Sequence, residues 1–452
     1  VIKKSIAVVS VFLLLIVVGF ALWGRDESTN ENFIRLLQHP AVADHDNAYF
    51  FLLGFTAPVD KNPIDRGKDL FAQRSAKHTA QESHSPNDLR FSENVLSLCD
   101  KNIAGHPINV AACIVQDRPQ IEKTLESNKV LLDRYGRLLT FTKFTRPVEV
   151  TAPMPSFVDL QRAKFAWWAK AVLLIQDGRA GQGLEMLQQD TRFWRSLATQ
   201  SDALLVRMIA ISLLQRQYEL FSQVINQFPT LVSQKKNELA QIARPLSSTE
   251  LSFHNALIGE LRLAADVLAR FDQLATVQTN ATAAQRTNWS LEHPFWRKTP
   301  LYRPNATFNL QAGVIDRWIM FSEQSAQKIV QQKDSFPQSL AQEFGIGDTS
   351  TVYNLIGRQL VAAGFADLSP YFLKAHDLDG LARLINLQIE IAALKLPDER
   401  VGPFVQTSDA AFANPYTGEP MLWDMKARTL SFKSYGSESG GEVAITLSAP
   451  RN

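Results

Sequence analysis

Residues 5–24, SIAVVSVFLLLIVVGFALWG, form a 20-residue run without a single charge. At 1.5 Å rise per residue such a helix crosses the ~30 Å hydrocarbon core of a bilayer. A signal-peptide core is shorter, about 7–15 residues, and ends in a small-x-small cleavage site. Here Leu22, Trp23 and Gly24 lead straight into Arg25-Asp26-Glu27, and no A-x-A pattern follows. Lys3 and Lys4 precede the run, which keeps the N-terminus cytoplasmic by the positive-inside rule. The stretch reads as an uncleaved signal anchor over residues 1–24. Ile6, Phe12, Leu14 and Phe20 lie in lipid, Trp23 lies at the interface, and the bulk of the chain is exported.

An exported compartment bears on the two cysteines. Cys99 and Cys113 are 14 positions apart, with Gly105 and Pro107 between them to let the chain reverse. An even cysteine count in an exported chain favours a disulfide. Two sulfurs with His106 alone nearby make a poor zinc site. Net charge is +2 with the signs interspersed, so no clustered basic face marks a nucleic-acid partner.

The remaining chain exceeds one small core, so several packed units are expected. Four segments are expected: the anchor 1–24, a helical and loop region 25–150 with the cysteine pair, a helical domain 151–402, and a small β-rich module 403–452. In the second, Tyr49, Phe50 and Phe51 form an apolar patch, and residues 117–139 read as one helix opened by Asp117 and Pro119. From residue 157 to about 228, three helices follow one another closely, and the short turn QDGRAGQG means that the first two must pack antiparallel. Ala171, Leu174, Gly178, Leu184 and Leu187 give the first two a resemblance to a TPR-type hairpin, without a recurring period. Ser247 and Glu250 make a capping box for a helix running to about 274. Residues 276–304 are a polar crossover carrying Trp289, Phe295 and Trp296. Alternation at Leu430, Phe432 and VAITL predicts a hairpin or three-stranded patch. The fold class is mainly α: a transmembrane helix, an exported helical bundle with a TPR-like hairpin in the middle, and a small C-terminal β-hairpin patch.

The tail NPYTGEPMLWD…LSFKSYG, residues 414–436, resembles the C-terminal motif of many uncharacterised exported bacterial proteins and the tail of type II secretion pseudopilins. No G-F-T-L-x-E processing site precedes the apolar run, which argues against a pseudopilin. With DNAYFFLLGF and the cysteine pair, the chain resembles uncharacterised single-pass proteobacterial envelope proteins. That resemblance implies an inner-membrane anchor and a periplasmic body, and no particular activity.

Few residues are candidates for chemistry. Glu250 and His254 stand four apart on one expected helix, with Glu260 as a third metal ligand, though a hydrogen bond along the helix face is the simpler reading. His376-Asp377-Leu378-Asp379 reads as dipole compensation at a helix start. His78 and His84 flank Glu82 without forming H-E-x-x-H. Ser233-x-x-Lys236 and Ser325-x-x-Lys328 match S-x-x-K, but the partner K-T-G is absent, since residues 298–300 read KTP. GIG at 345–347 follows no buried strand, and GSESGG at 436–441 is a turn rather than G-x-S-x-G. The sequons at Asn280, Asn288 and Asn305 matter only in a secretory pathway that glycosylates. A Golgi glycosyltransferase, which anchor and sequons would fit, needs alternating strands and helices around a nucleotide; DHD at 44–46 and DLD at 377–379 do not supply them. No cofactor or metal is expected. The leading expectation is a non-catalytic periplasmic scaffold or accessory subunit of an envelope complex. It meets the lipid bilayer through one helix, and a protein partner through Tyr49, Phe50, Phe51, Trp289, Phe295 and Trp296. The alternative is a hydrolase of envelope polymers whose carboxylate pair comes from distant helices and leaves no local motif.

Overall fold

The computed structural model describes residues 25–38, 46–77, 88–92, 95–100, 109–147, 152–277, 301–436 and 441–448. The expected anchor, with Ile6, Phe12, Leu14, Phe20 and Trp23, lies outside them, as do Trp289, Phe295 and Trp296. Among the described residues no helix is long and apolar enough to cross a membrane.

The protein is mainly helical with one small sheet at its C-terminal end. The N-terminal third holds short helices: α1 (Glu31–Leu37), α2 (Ala48–Leu53), α3 (Pro63–Lys77), α4 (Val95–Asp100), α5 (Val110–Gln116), α6 (Arg118–Ser127) and α7 (Lys129–Leu138). The expected single helix over 117–139 is broken at Asn128. That residue's amide donates to the Thr124 carbonyl at 2.8 Å and accepts from Ser92 N at 3.1 Å. An asparagine side chain that bonds local backbone in this way competes with helix continuation.

Cys99 on α4 and Cys113 on α5 are joined as a disulfide. Tyr49 and Phe51 are 0 % exposed. Tyr49 donates its hydroxyl to the Pro153 carbonyl at 2.8 Å, and Phe51 packs on Phe141. Phe50 is half-buried against Phe71. Two of the three rings of this expected contact patch are thus covered by the protein's own core, while Phe50 keeps partial exposure.

The middle of the chain is α8 (Phe157–Gln176), α9 (Ala180–Gln200), α10 (Leu204–Gln227) and α11 (Thr230–Ile242). The three long helices fall where the apolar spacing places them. Gly178 closes α8 at φ 78°, in the left-handed region that glycine enters without a Cβ penalty. There follow α12 (Ser248–Leu251), α13 (His254–Val277), α14 (Pro304–Ser322), α15 (Ala326–Gln332), α16 (Phe336–Glu343), α17 (Leu355–Gly364), α18 (Ser369–Ala393) and α19 (Asp398–Gln406). Helix α18 is buried along most of its length and forms the spine on which α10, α11, α15 and the sheet pack.

The sheet is antiparallel, in the order β1 (Leu422–Asp424), β2 (Thr429–Lys433), β3 (Glu442–Thr446). Trp423 pairs with Leu430, and Phe432 with Val443. Leu430 and Phe432, two apart on one face of β2, are fully buried, and Ser431 between them is buried on the other face. Phe432 closes on α18 at Gly380, where any Cβ would meet its ring. One hydrophobic cluster takes in buried residues from Ala48 to Leu447; position 402 falls within α19, and the boundary expected near 150 lies outside the described residues.

Candidate functional site

Three groups of polar side chains are built into this body. The first lies in the interior, where α7, α8, α9 and α10 meet. Asp190 accepts from the Tyr135 hydroxyl at 2.5 Å, Lys164 Nζ at 2.5 Å and Trp168 Nε1 at 2.7 Å. Trp194 Nε1 donates to the Tyr135 oxygen, and Lys164 also donates to Gln217 Oε1. Gln217 in turn donates to Thr191 Oγ1 at 2.6 Å. Burial pushes the Lys164 ammonium down to about 8, against the pull of Asp190. Every polar atom of the Asp190–Lys164 pair is matched, the condition under which a buried ion pair is tolerated. Amphipathic spacing marks Lys164 and Asp190 as interior positions; nothing in the sequence says that they pair.

The second group surrounds Glu250. Its carboxylate takes both Nε and Nη2 of Arg195, at 2.7 and 2.8 Å, and both terminal nitrogens of Arg244 at 2.9 Å. It also closes the expected capping box with Ser247. Burial opposes its ionisation, but the Arg195 and Arg244 guanidiniums outweigh burial and hold it well below the usual carboxylate range.

Glu250 and His254 therefore do not share one helix face. Helix α12 stops at Leu251, and α13 starts at His254. Arg207, stacked on Phe253 at 4.0 Å, donates to the carbonyls of Glu250 and Leu251. A continuous helix would offer those carbonyls to the N–H groups four residues on. Glu260, the expected third ligand, instead accepts from Leu204 N at 2.9 Å. Among the described residues no three His, Cys, Asp or Glu side chains are grouped to hold a metal.

The α12 turn separates two clefts. One, of about 460 Å³, has only polar or charged side chains in its lining, among them Gln188, Arg192, Gln241 and Arg244. Three arginines against one glutamate leave it positive. The other, of about 670 Å³, gathers His254, His376, Glu323, Ser252 and Asn255. Burial, with Arg383 nearby, pushes His376 down to about 4, so its imidazole is neutral at pH 7. Ser252 Oγ donates to Glu323 at 3.1 Å.

The third group is the HDLD stretch. Helix α18 begins at Ser369, so residues 376–379 sit in its interior and do not compensate its N-terminal dipole, as was expected of them. Asp377 accepts from the Tyr416 hydroxyl at 2.7 Å, Ser434 Oγ at 2.7 Å and Gly436 N at 2.9 Å. Asp379 accepts from Leu246 N at 2.7 Å and from Arg383 at 2.8 Å. Burial pushes both carboxyls up, against these donors. They fasten the C-terminal module and the 243–247 loop to the spine.

The remaining matches resolve into local structure. Ser325 accepts from Lys328 N as the N-cap of α15, and Lys236 pairs with Glu390 at 2.7 Å. Ser233 donates to the Thr230 carbonyl. Gly345 and Gly347 take positive φ in the turn after α16. Asn305 is tied to residues 26 and 27. His78, Glu82, His84, Asn280, Asn288 and the KTP triplet lie outside the described residues. No family model, no curated protein and no solved structure matches the chain.

Proposed function

We propose that the protein is a membrane-anchored helical scaffold or accessory subunit of an envelope complex, with a cytoplasmic N-terminus, a periplasmic body and no catalytic role of its own. One observation carries this reading: the buried acids are engaged as internal fasteners. Asp190, Asp377 and Asp379 are each held by donors from other parts of the chain, and Glu250, half-buried, is clamped by two arginines. A general acid or nucleophile needs a carboxyl that faces substrate.

The surface offered to a partner is the positive cleft beside α12, where Arg192 pairs with no described residue. Charge favours a protein segment rich in Asp and Glu there. A photocrosslinking residue in place of Gln241, in native membranes, is expected to capture one stoichiometric partner. The same group at Val158, 58 % exposed on α8, is expected to capture none. Equal labelling from both positions, or from neither, overturns the assignment.

The alternative, a hydrolase of envelope polymers, draws on the second cleft, where His254, His376 and Glu323 share one lining. Incubation with cell-wall glycan separates the two readings: the scaffold releases no new reducing ends, and the hydrolase does.

A further inference from the structure

Residues 25–30 do not hang free between the expected anchor and the body. Asp26 Oδ2 accepts from Asn305 N at 2.9 Å and its Oδ1 from Ala306 N at 3.1 Å. The Glu27 carbonyl accepts from Asn305 Nδ2 at 2.9 Å. Asn309 Nδ2 reaches the Ser28 carbonyl at 3.0 Å and the Glu27 carboxylate at 3.2 Å, while its Oδ1 accepts from Asn30 N at 3.0 Å.

This segment is the N-terminal cap of α14. The residue at the cap position, Arg303, makes no side-chain cap bond. Asp26 supplies it from 279 positions away, satisfying two N–H groups that a helix start leaves open and setting a negative charge at the positive end of the dipole. The chain then continues into α1, where Arg262 of α13 donates to the carbonyls of Leu36 and Gln38 at 3.1 and 2.8 Å. The attachment is therefore distributed along the segment.

Only Arg25 stands between Gly24, the last residue of the uncharged run, and Asp26. At ~3.3–3.6 Å per extended residue, Asp26 lies within about 7 Å of the end of that run. From this geometry we infer that the body is seated on the bilayer and does not swing from it: the end of the fold carrying the first turn of α14 lies against the lipid headgroups. The inference rests on the proposed anchor. Residues 352–356 belong to the same end. Asn354 Oδ1 accepts from Arg303 N at 2.9 Å, Ile356 N donates to the Leu301 carbonyl at 2.8 Å, and Val352 beside them is 45 % exposed. Met320, 54 % exposed, lies toward the other end of α14, about 22 Å along its axis at 1.5 Å per residue.

The test uses the full chain in phosphatidylethanolamine/phosphatidylglycerol vesicles. Both native cysteines are in the disulfide, so an added thiol is the one labelling site. A fluorophore on Val352→Cys is expected to be quenched several-fold more strongly by headgroup-nitroxide lipid than one on Met320→Cys. A long Gly/Ser insertion after Gly24 is expected to abolish the difference while the protein still floats with the vesicles. Equal quenching at both positions in the vesicle-bound native chain overturns the seating and leaves the anchor standing. Native protein that does not float with vesicles overturns the anchor, and the seating with it.

Discussion

Asp190 answers three donors at once, and each of them is buried with it. Removing the carboxylate in Asp190→Ala strands the Lys164 ammonium, the Trp168 N–H and the Tyr135 hydroxyl in a dry interior. Breaking one side of such a pair costs about 3–5 kcal/mol. A urea titration of Asp190→Ala is expected to show that loss, whereas the double change Lys164→Met, Asp190→Leu recovers only the share owed to the stranded ammonium, since the Trp168 N–H and the Tyr135 hydroxyl stay without their acceptor. His376 contributes to acid sensitivity. Its folded value of about 4 lies below its ordinary 6.5, so the unfolded chain binds the proton first as pH falls. Its contribution is complete above about pH 6.5, declines as pH drops, and is gone below about 4. A shift of that size is worth on the order of 3 kcal/mol. His376→Gln is expected to flatten the stability profile between those two pH values, read as Tm against pH. None of these pairings can be seen in the sequence. Spacing marks Lys164, Asp190 and Asp377 as interior positions, but their partners come from other helices or from the C-terminal strands.

Helices 157–227 were legible because their apolar residues recur at helical spacing and Gly178 and Pro229 punctuate them. The break between α12 and α13 was not. Ser252, Phe253 and His254 fit the helical pattern, and the residue that takes the carbonyls away, Arg207, lies more than forty positions earlier. The capping box is visible in the sequence, but the clamp on the residue that closes it, Glu250, is not, since local spacing says nothing of Arg195 and Arg244. At this scale, Gly259 of α13 lies so close to the Asp202 carbonyl that any Cβ would overlap it. Gly259→Ala must push α13 off the 201–203 connection, an overpacking cost of about 1–3 kcal/mol or more, which a denaturant midpoint will show. The disulfide between α4 and α5 closes a 14-residue separation. Reduction with a thiol is expected to lower stability by about 3 kcal/mol in the chain-entropy model, measured as a fall in Tm that Cys99→Ser, Cys113→Ser reproduces without reductant.

For the molecule as a whole, α18 binds the C-terminal sheet through Asp377 and the 243–247 loop through Asp379 into the same core as the N-terminal helices. The alternation in the sequence located the strands; that the sheet is fastened to the spine through Asp377 is a property of the folded chain alone. The proposed anchor makes a prediction here. After cell fractionation and an alkaline wash, the protein is expected to stay with the membranes, and its mature N-terminal peptide to include residues upstream of Trp23. Release by the wash, or a mature chain starting downstream of Trp23, overturns it.

The cap that Asp26 places on α14 also sets an order of events. A ribosome delivers Asp26 first, and the helix it completes emerges some 279 positions later. That carboxylate must wait, in water, until the first turn of α14 has been made. Closing so long a loop adds only slowly to the entropy already lost, since the cost rises with the logarithm of length. The delay is a matter of timing more than of energy, and a pause in synthesis before residue 305 leaves a body that cannot yet close onto its own beginning.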